Sequence, residues 1–174
     1  MTTGFKGGEM IVIAARPGVG KTALALSMAR HILRQRLDSS KNELVRPGYP
    51  VAFFSLEMSA QQLMFRLLSS HAGLDSEQIR RGQLSDSQIT ALRGVAAEIS
   101  DLPLLLDESS LLAIGQLRAR ARRLKKMHHI DILFVDYLQL LTSGTDRARE
   151  SRQVEVSEIS RGLKALAMEL NVPV

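Results

Sequence analysis

Apolar residues along the chain fall into short unbroken runs, separated by longer stretches in which they recur every three or four positions. The first pattern marks strands buried on both faces, and the second marks helices packed by one face. Residues 10–14 (Met-Ile-Val-Ile-Ala), introduced by Gly7-Gly8, predict a buried strand. From Lys21 to Leu37 the chain reads as a helix, with Leu24, Leu26, Met28, Ile32 and Leu33 spread over most faces as in a helix laid on a sheet. Residues 38–50, which hold Ser39-Ser40 and Pro47-Gly48, read as a surface loop, and residues 51–55 (Val-Ala-Phe-Phe-Ser) as a second strand.

Two capping-box signatures follow. Ser59 with Gln62 opens a helix bearing Leu63, Leu67 and Leu68, and Ser85 with Gln88 opens another bearing Ile89, Leu92, Val95, Ala96 and Ile99. Pro103 ends that stretch, residues 104–106 (three leucines) are a short strand, and Ile114, Leu117, Ala121 and Leu124 form the stripe of a helix whose other faces are basic. Residues 130–135 are a fourth strand, 142–151 a polar loop, 154–170 a helix striped by Val156, Ile159, Leu163, Leu166 and Leu170, and 172–174 the start of a fifth strand. Apolar strands alternating with helices predict an α/β fold with a mostly parallel central sheet flanked by helices, and no repeat period is present.

Size and composition narrow this reading. A chain of 174 residues, 45% hydrophobic, fills one domain and is too short for two. With no cysteine there are no disulfides or thiolate metal sites, and no apolar run reaches the roughly 18 residues that span a bilayer, so a cytoplasmic protein without a membrane role is expected. A formal net charge of +5 fits a polyanionic partner, while an aromatic content of 4% without tryptophan argues against extensive base stacking.

Chemistry concentrates after the first strand. Pro17-Gly18-Val19-Gly20-Lys21-Thr22 joins strand to helix, where Gly18 and Gly20 let backbone N–H groups turn toward phosphate and the helix dipole points its positive end at the same place. Lys21 would reach the β- and γ-phosphates of ATP, and the Thr22 hydroxyl would ligate Mg²⁺. The first position of the usual pattern carries Ala15 in place of glycine, which is tolerated if φ there is negative.

The metal needs a carboxylate at the carboxyl end of a neighbouring strand. Asp136 is favoured because its strand is the longer and more apolar; Asp107-Glu108 after residues 104–106 is the rival, with a helix cap as the bland reading of Asp107. Glu57, two residues beyond the second strand, is the candidate for orienting the attacking water, against the alternative that it is an acid in a helix's first turn.

Taken together, residues 14–22, Ser55-Leu56-Glu57-Met58-Ser59, Val135-Asp136-Tyr137-Leu138-Gln139-Leu140 and residues 152–161 resemble the DnaB-type replicative DNA helicase, in four blocks that extend the likeness over essentially the whole chain. Ala15 belongs to that pattern. The resemblance implies a RecA-like P-loop NTPase core, a homohexameric ring in the full-length protein, and ATP-driven 5′ to 3′ translocation on single-stranded DNA, with primase and a helicase loader as candidate partners. By position it implies that Gly18, Gly20, Lys21, Thr22, Ala23 and Arg66 contact ATP and that Glu57 activates water. Residues 142–153, with Gly144, Arg147, Arg149 and Arg152, resemble the family's first DNA-facing loop, whose arginines suit backbone phosphates. Residues 1–174 are then expected to be a RecA-like ATPase domain lacking the family's amino-terminal domain and its carboxy-terminal strands, polar sensor, second DNA loop and arginine finger.

Other readings stay open beside it: a nucleotide-dependent interaction module without turnover, or another RecA-like ATPase or P-loop kinase. A kinase would need a substrate-binding insertion and a basic lid, neither of which is evident. Arg118, Arg120, Arg122, Arg123, Lys125 and Lys126 read as solvated charges around an apolar stripe, and the four histidines lack the spacing of metal ligands.

Overall fold

The computed structural model describes residues 4–34, 36–38, 43–45, 48–144 and 151–174. Its centre is a parallel sheet of three strands, β3 (Val51–Ser55), β4 (Leu104–Glu108) and β6 (Ile132–Asp136), in the order β4-β3-β6. All of β3 is buried, as the unbroken apolar run predicts for a strand flanked on both edges and covered on both faces. Register pairs Ser55 with Glu108 on one side and with Asp136 on the other, so the carboxyl ends of the strands are level. Phe53 and Phe134 stack across β3 and β6 with ring centroids 5.5 Å apart.

Helices cover the sheet. Leu26, Ala29 and Leu33 of α1 (Lys21–Arg34) are buried with Phe53, Leu63 and Val51 on one side. On the other, Leu117 and Ala121 of α5 (Ile114–His128) and Ile159, Leu163 and Leu166 of α6 (Arg152–Leu170) close the largest cluster around Phe54 and Leu133. Both predicted capping boxes are formed, by Ser59 and Gln62 at the start of α2 (Ala60–Ala72) and by Ser85 and Gln88 at the start of α4 (Asp86–Ser100). Only Ile99 of the α4 stripe is fully buried, because α4 packs on α2 outside the main core. A short helix α3 (Ser76–Arg81), capped by Asp75, a 3-10 turn (Leu138–Leu140) and a two-residue parallel pair, β5 (Leu112–Ala113) with β7 (Leu141–Thr142), are too brief to leave a periodic signal.

Several expectations are corrected. Residues 10–14 are not a buried strand: Val12 is 66% exposed, and an open groove of 420 Å³ separates the run from β6. Among the described residues the run's backbone is bonded at its start to residues 172–174, by Ile11 N–H to the Val174 carbonyl (2.7 Å) and Val174 N–H to the Glu9 carbonyl (2.9 Å). Residues 172–174 are bonded to β6 through Leu133 N–H and the Pro173 carbonyl (3.0 Å), without forming a regular strand. Helix α1 ends at Arg34 and not at Leu37, where Gly48 and Tyr49 donate to the Leu33 and Ile32 carbonyls. Only glycine fits there, because a Cβ on residue 48 would lie 2.0 Å from the Ile32 carbonyl oxygen. The end of the expected helix and the start of the expected surface loop instead form an antiparallel pair, β1 (Arg36–Asp38) with β2 (Glu43–Val45). Helix α6 begins two residues early, at Arg152. Among the described residues no helix is long and apolar enough to cross a membrane.

Phe53 sits at the centre of the sheet against α1 and α2. Phe53→Ala is expected to destabilise the fold by about 3–5 kcal/mol, and Ser85→Ala, which removes one helix cap, by about 1 kcal/mol. Urea unfolding followed by circular dichroism should rank them in that order; equal costs would mean that the sheet centre is not where the core is most tightly packed.

Candidate nucleotide-binding site

Three segments meet at the carboxyl edge of the sheet. The first is the loop before α1, where Gly18 and Gly20 have φ of 77° and 102°, values that favour glycine because a Cβ would crowd the backbone. Among the described residues the only non-glycines with positive φ are His129 and Asn171, so the condition on Ala15 is met. Leu24 N–H donates to the Gly20 carbonyl (2.9 Å), which closes the first turn of α1 directly behind the loop. Lys21 Nζ donates to the loop's own carbonyls, Ala15 at 3.0 Å and Arg16 at 3.5 Å, so its charge stays at the loop.

The second segment is the end of β6. Asp136 is 7% exposed, and Thr22 Oγ1 donates to its Oδ2 at 2.6 Å. A hydroxyl and a carboxylate 114 residues apart in sequence are thus brought into contact at the first turn of α1. Both are hard oxygen donors, the kind that hold Mg²⁺ together with phosphate oxygens and water. Among the described residues no three acidic, histidine or cysteine side chains cluster, and Mg²⁺ characteristically uses one or two carboxylates.

The third segment is the turn after β3. Ser55 Oγ donates to the Met58 carbonyl (2.6 Å) and accepts from Met58 N–H (3.2 Å), while Leu56 N–H donates to the carbonyl of Asp136 itself (2.8 Å). Glu57 is held on this turn with its side chain exposed. Helix α2 starts only at Ala60, capped by Ser59, and has no acid in its first turn, so the helix-dipole reading of Glu57 does not hold.

The rival acids have other partners. Asp107 accepts from Arg120 (2.7 Å) and from the Ser109 hydroxyl (3.2 Å). It is an ion-pair partner, not a helix cap. The capping carboxylate is its neighbour Glu108, which accepts from the Ala60 N–H at the start of α2. Ala23 and Arg66 line a second groove of 420 Å³ between α1 and α2, with Ser27, Arg30 and Ser69.

Basic residues sort in the same way. Arg118 and Arg122 of α5 both bond Glu169 of α6, and hydrogen bonding from Arg122 first, then Arg118, holds that carboxyl down at about 2. Lys125 donates to the Ile130 carbonyl (2.7 Å), and with Arg120 on Asp107 most of the α5 cations serve packing between elements. Arg152 bonds Glu155 and the Gln139 carbonyl, while Arg147 and Arg149 lie outside the described residues. Sequence patterning missed Ser55, since nothing distinguishes a serine at a strand end from any other; the Arg152–Glu155 pair was visible only as i,i+3 spacing.

A glycine-hinged loop opening a helix against a buried aspartate, at the carboxyl edge of a parallel sheet, defines a RecA-like P-loop nucleotide-binding domain. The fold agrees with that of a separately solved ATPase domain (TM-score 0.80, 28% identity, 98% of this chain and 56% of that one). The chain belongs to the DnaB-like helicase C terminal domain family, whose description matches residues 1–174. It is 45% identical over 173 residues to the replicative DNA helicase DnaB of Rickettsia bellii (strain RML369-C), covering 98% of this chain and 34% of that protein. Against the DnaB of Geobacillus stearothermophilus it is 40% identical over 174 residues, covering 100% of this chain and 36% of that one. A solved DnaB-like replicative helicase, described with its interactions with primase, superposes with a TM-score of 0.80 at 28% identity, over 98% of this chain and 38% of its own. The chain therefore spans about a third of the length of these curated relatives.

Because Asp136 touches Thr22 and Asp107 is held by Arg120, Asp136→Asn is expected to weaken Mg²⁺-dependent nucleotide binding by roughly tenfold or more, and Asp107→Asn far less. Titrating a fluorescent ATP analogue with and without Mg²⁺ checks this. The reverse order would move the metal to the β4 edge.

Proposed function

We propose that this chain is the ATP-hydrolysing motor domain of a replicative DNA helicase, working in a homohexameric ring that moves 5′ to 3′ along single-stranded DNA. The observation that carries the reading is the 2.6 Å bond from Thr22 to Asp136, which unites the phosphate loop with the carboxylate at the end of β6. Family membership and the likeness to replicative helicases support it. The superposition on a helicase described with primase supports primase as a partner, and a loader follows from the same family reading.

In this reading Gly18, Gly20 and Ala23 present backbone to the phosphates, Lys21 supplies a positive charge to the β- and γ-phosphates, and Arg66 reaches the nucleotide along the α1–α2 groove. Thr22 and Asp136 would hold Mg²⁺, which would supply positive charge to the phosphate oxygens. Glu57 orients water: it follows Leu56, whose N–H is bonded to the Asp136 carbonyl, so the water-orienting and metal-facing carboxylates are referenced to the same backbone. Arg147 and Arg149 contact DNA phosphates, with Arg152 at the base of the same loop.

Binding and chemistry are expected to separate. Lys21→Ala should abolish tight ATP binding while leaving the thermal melt intact. Glu57→Gln should keep ATP affinity within about a few-fold and reduce turnover by roughly 10²-fold or more, the scale of a positioned general base. Affinity is measured on this chain, and turnover in a ring-forming helicase that contains it. Parental turnover in Glu57→Gln would return Glu57 to a structural role; unchanged affinity in folded Lys21→Ala would remove the nucleotide reading. Binding without turnover in the parent ring would favour an interaction module.

The paired change Arg147→Glu with Arg149→Glu should weaken single-stranded DNA binding and flatten its salt dependence without altering ATP affinity, because phosphate contacts release counterions. Binding titrations at several salt concentrations read the slope; equal slopes would count against contact by this loop.

A further inference from the structure

Arg152, placed by its loop among residues expected to face nucleic acid, is engaged within the protein. Its Nη2 donates to the Gln139 carbonyl at 2.5 Å, and its Nη1 donates to Glu155 Oε2. Glu155, with a side chain 18% exposed, also accepts from Ser143 N–H at 3.4 Å through its other oxygen. Ser151, the residue before the helix, makes no side-chain cap. The start of α6 is thus fastened to the 3-10 turn and to the residue after β7 by one arginine and one glutamate.

The 3-10 turn Leu138–Leu140 begins two residues after Asp136, and Asp136 accepts from Thr22 at the head of α1. A short backbone segment with a charge-assisted bond at its far end therefore joins the Thr22–Asp136 contact to α6. Because Arg152 grips a main-chain carbonyl and not a flexible side chain, a shift of the segment after Asp136 must move the guanidinium or break a strong bond. The neighbouring carboxylate fixes that guanidinium in turn, so the displacement reaches the helix backbone.

We propose that Arg152 is a positioning residue which, anchored by Glu155, transmits the metal–nucleotide state at Asp136 to the first turns of helix α6. The inference rests on nucleotide binding at Lys21, Thr22 and Asp136. It assigns Arg152 to coupling in place of direct DNA contact, and leaves DNA phosphates to other cations.

Amide hydrogen exchange on the 174-residue chain, with and without Mg²⁺ and a non-hydrolysable ATP analogue, tests it, with affinity for the analogue measured in the same samples. In the parent, nucleotide should slow exchange both at residues 21–24 and at residues 152–158, the latter on the order of fivefold. Arg152→Gln and Glu155→Gln should keep affinity within about twofold and retain protection at 21–24 while losing it at 152–158. Arg152→Lys, which keeps the charge but not the two-pronged reach, should fall between. If Arg152→Gln melts at a much lower temperature than the parent, Glu155→Gln and Arg152→Lys carry the test. Parental protection at 152–158 in the variants overturns the proposal. So does a parent in which nucleotide protects 21–24 and leaves 152–158 unchanged. A parent that binds no nucleotide overturns the reading beneath it, and the separate affinity measurement distinguishes that failure from the others.

Discussion

The parallel register that sets Ser55 beside Asp136 on one flank and Glu108 on the other is the constraint on which the rest of the molecule depends. Parallel strands end level, and the loops that leave them converge on one edge. The stacked pair of buried Phe53 and half-buried Phe134, packed with Leu26 of α1 and Leu63 of α2, holds that register, because a slip of one position would break the stacking and misplace Phe53 against both helices. With the register held, the head of α1 arrives where Thr22 can donate to Asp136, and the turn carrying Glu57 is pinned to the same aspartate by Leu56.

Four carboxylates stand near this edge, and their partners divide them. Asp136 is buried against a threonine hydroxyl, Glu57 is exposed on a braced turn, Glu108 caps α2, and Asp107 is held by Arg120. A carboxylate already bonded to a guanidinium or to helix amides loses those bonds if it turns to a metal, whereas one facing a hydroxyl gains by doing so. The division of labour follows from what each acid touches, since all four stand close together along the edge.

Cations follow the same logic. Helix α5 is basic around its apolar stripe, yet Arg118, Arg120, Arg122 and Lys125 are directed at carboxylates and a carbonyl of neighbouring elements. Exposed pairs of this kind add little stability one by one. Here they orient α5 against α6 and β4. Arg152 is engaged in the same manner, which makes an arginine in a polar stretch weak evidence for a ligand until its partners are known.

The local features were legible in the residues alone: the β3 run, both capping boxes, the glycine-hinged loop with Lys21 and Thr22, and the α/β alternation that makes the sheet parallel. These depend on periodicity and on backbone chemistry within a few residues. Asp136 could be preferred over Asp107 from the length of its apolar run, but only the structure showed which one touches Thr22, because that contact joins residues 114 positions apart. The exposure of residues 11–14, the end of α1 at Arg34 set by Gly48, the capping role of Glu108 and the engagement of Arg152 were equally tertiary decisions. An apolar run predicts burial and a charge predicts solvent, yet whether a partner stands alongside is decided by segments distant in sequence, and no local pattern encodes them.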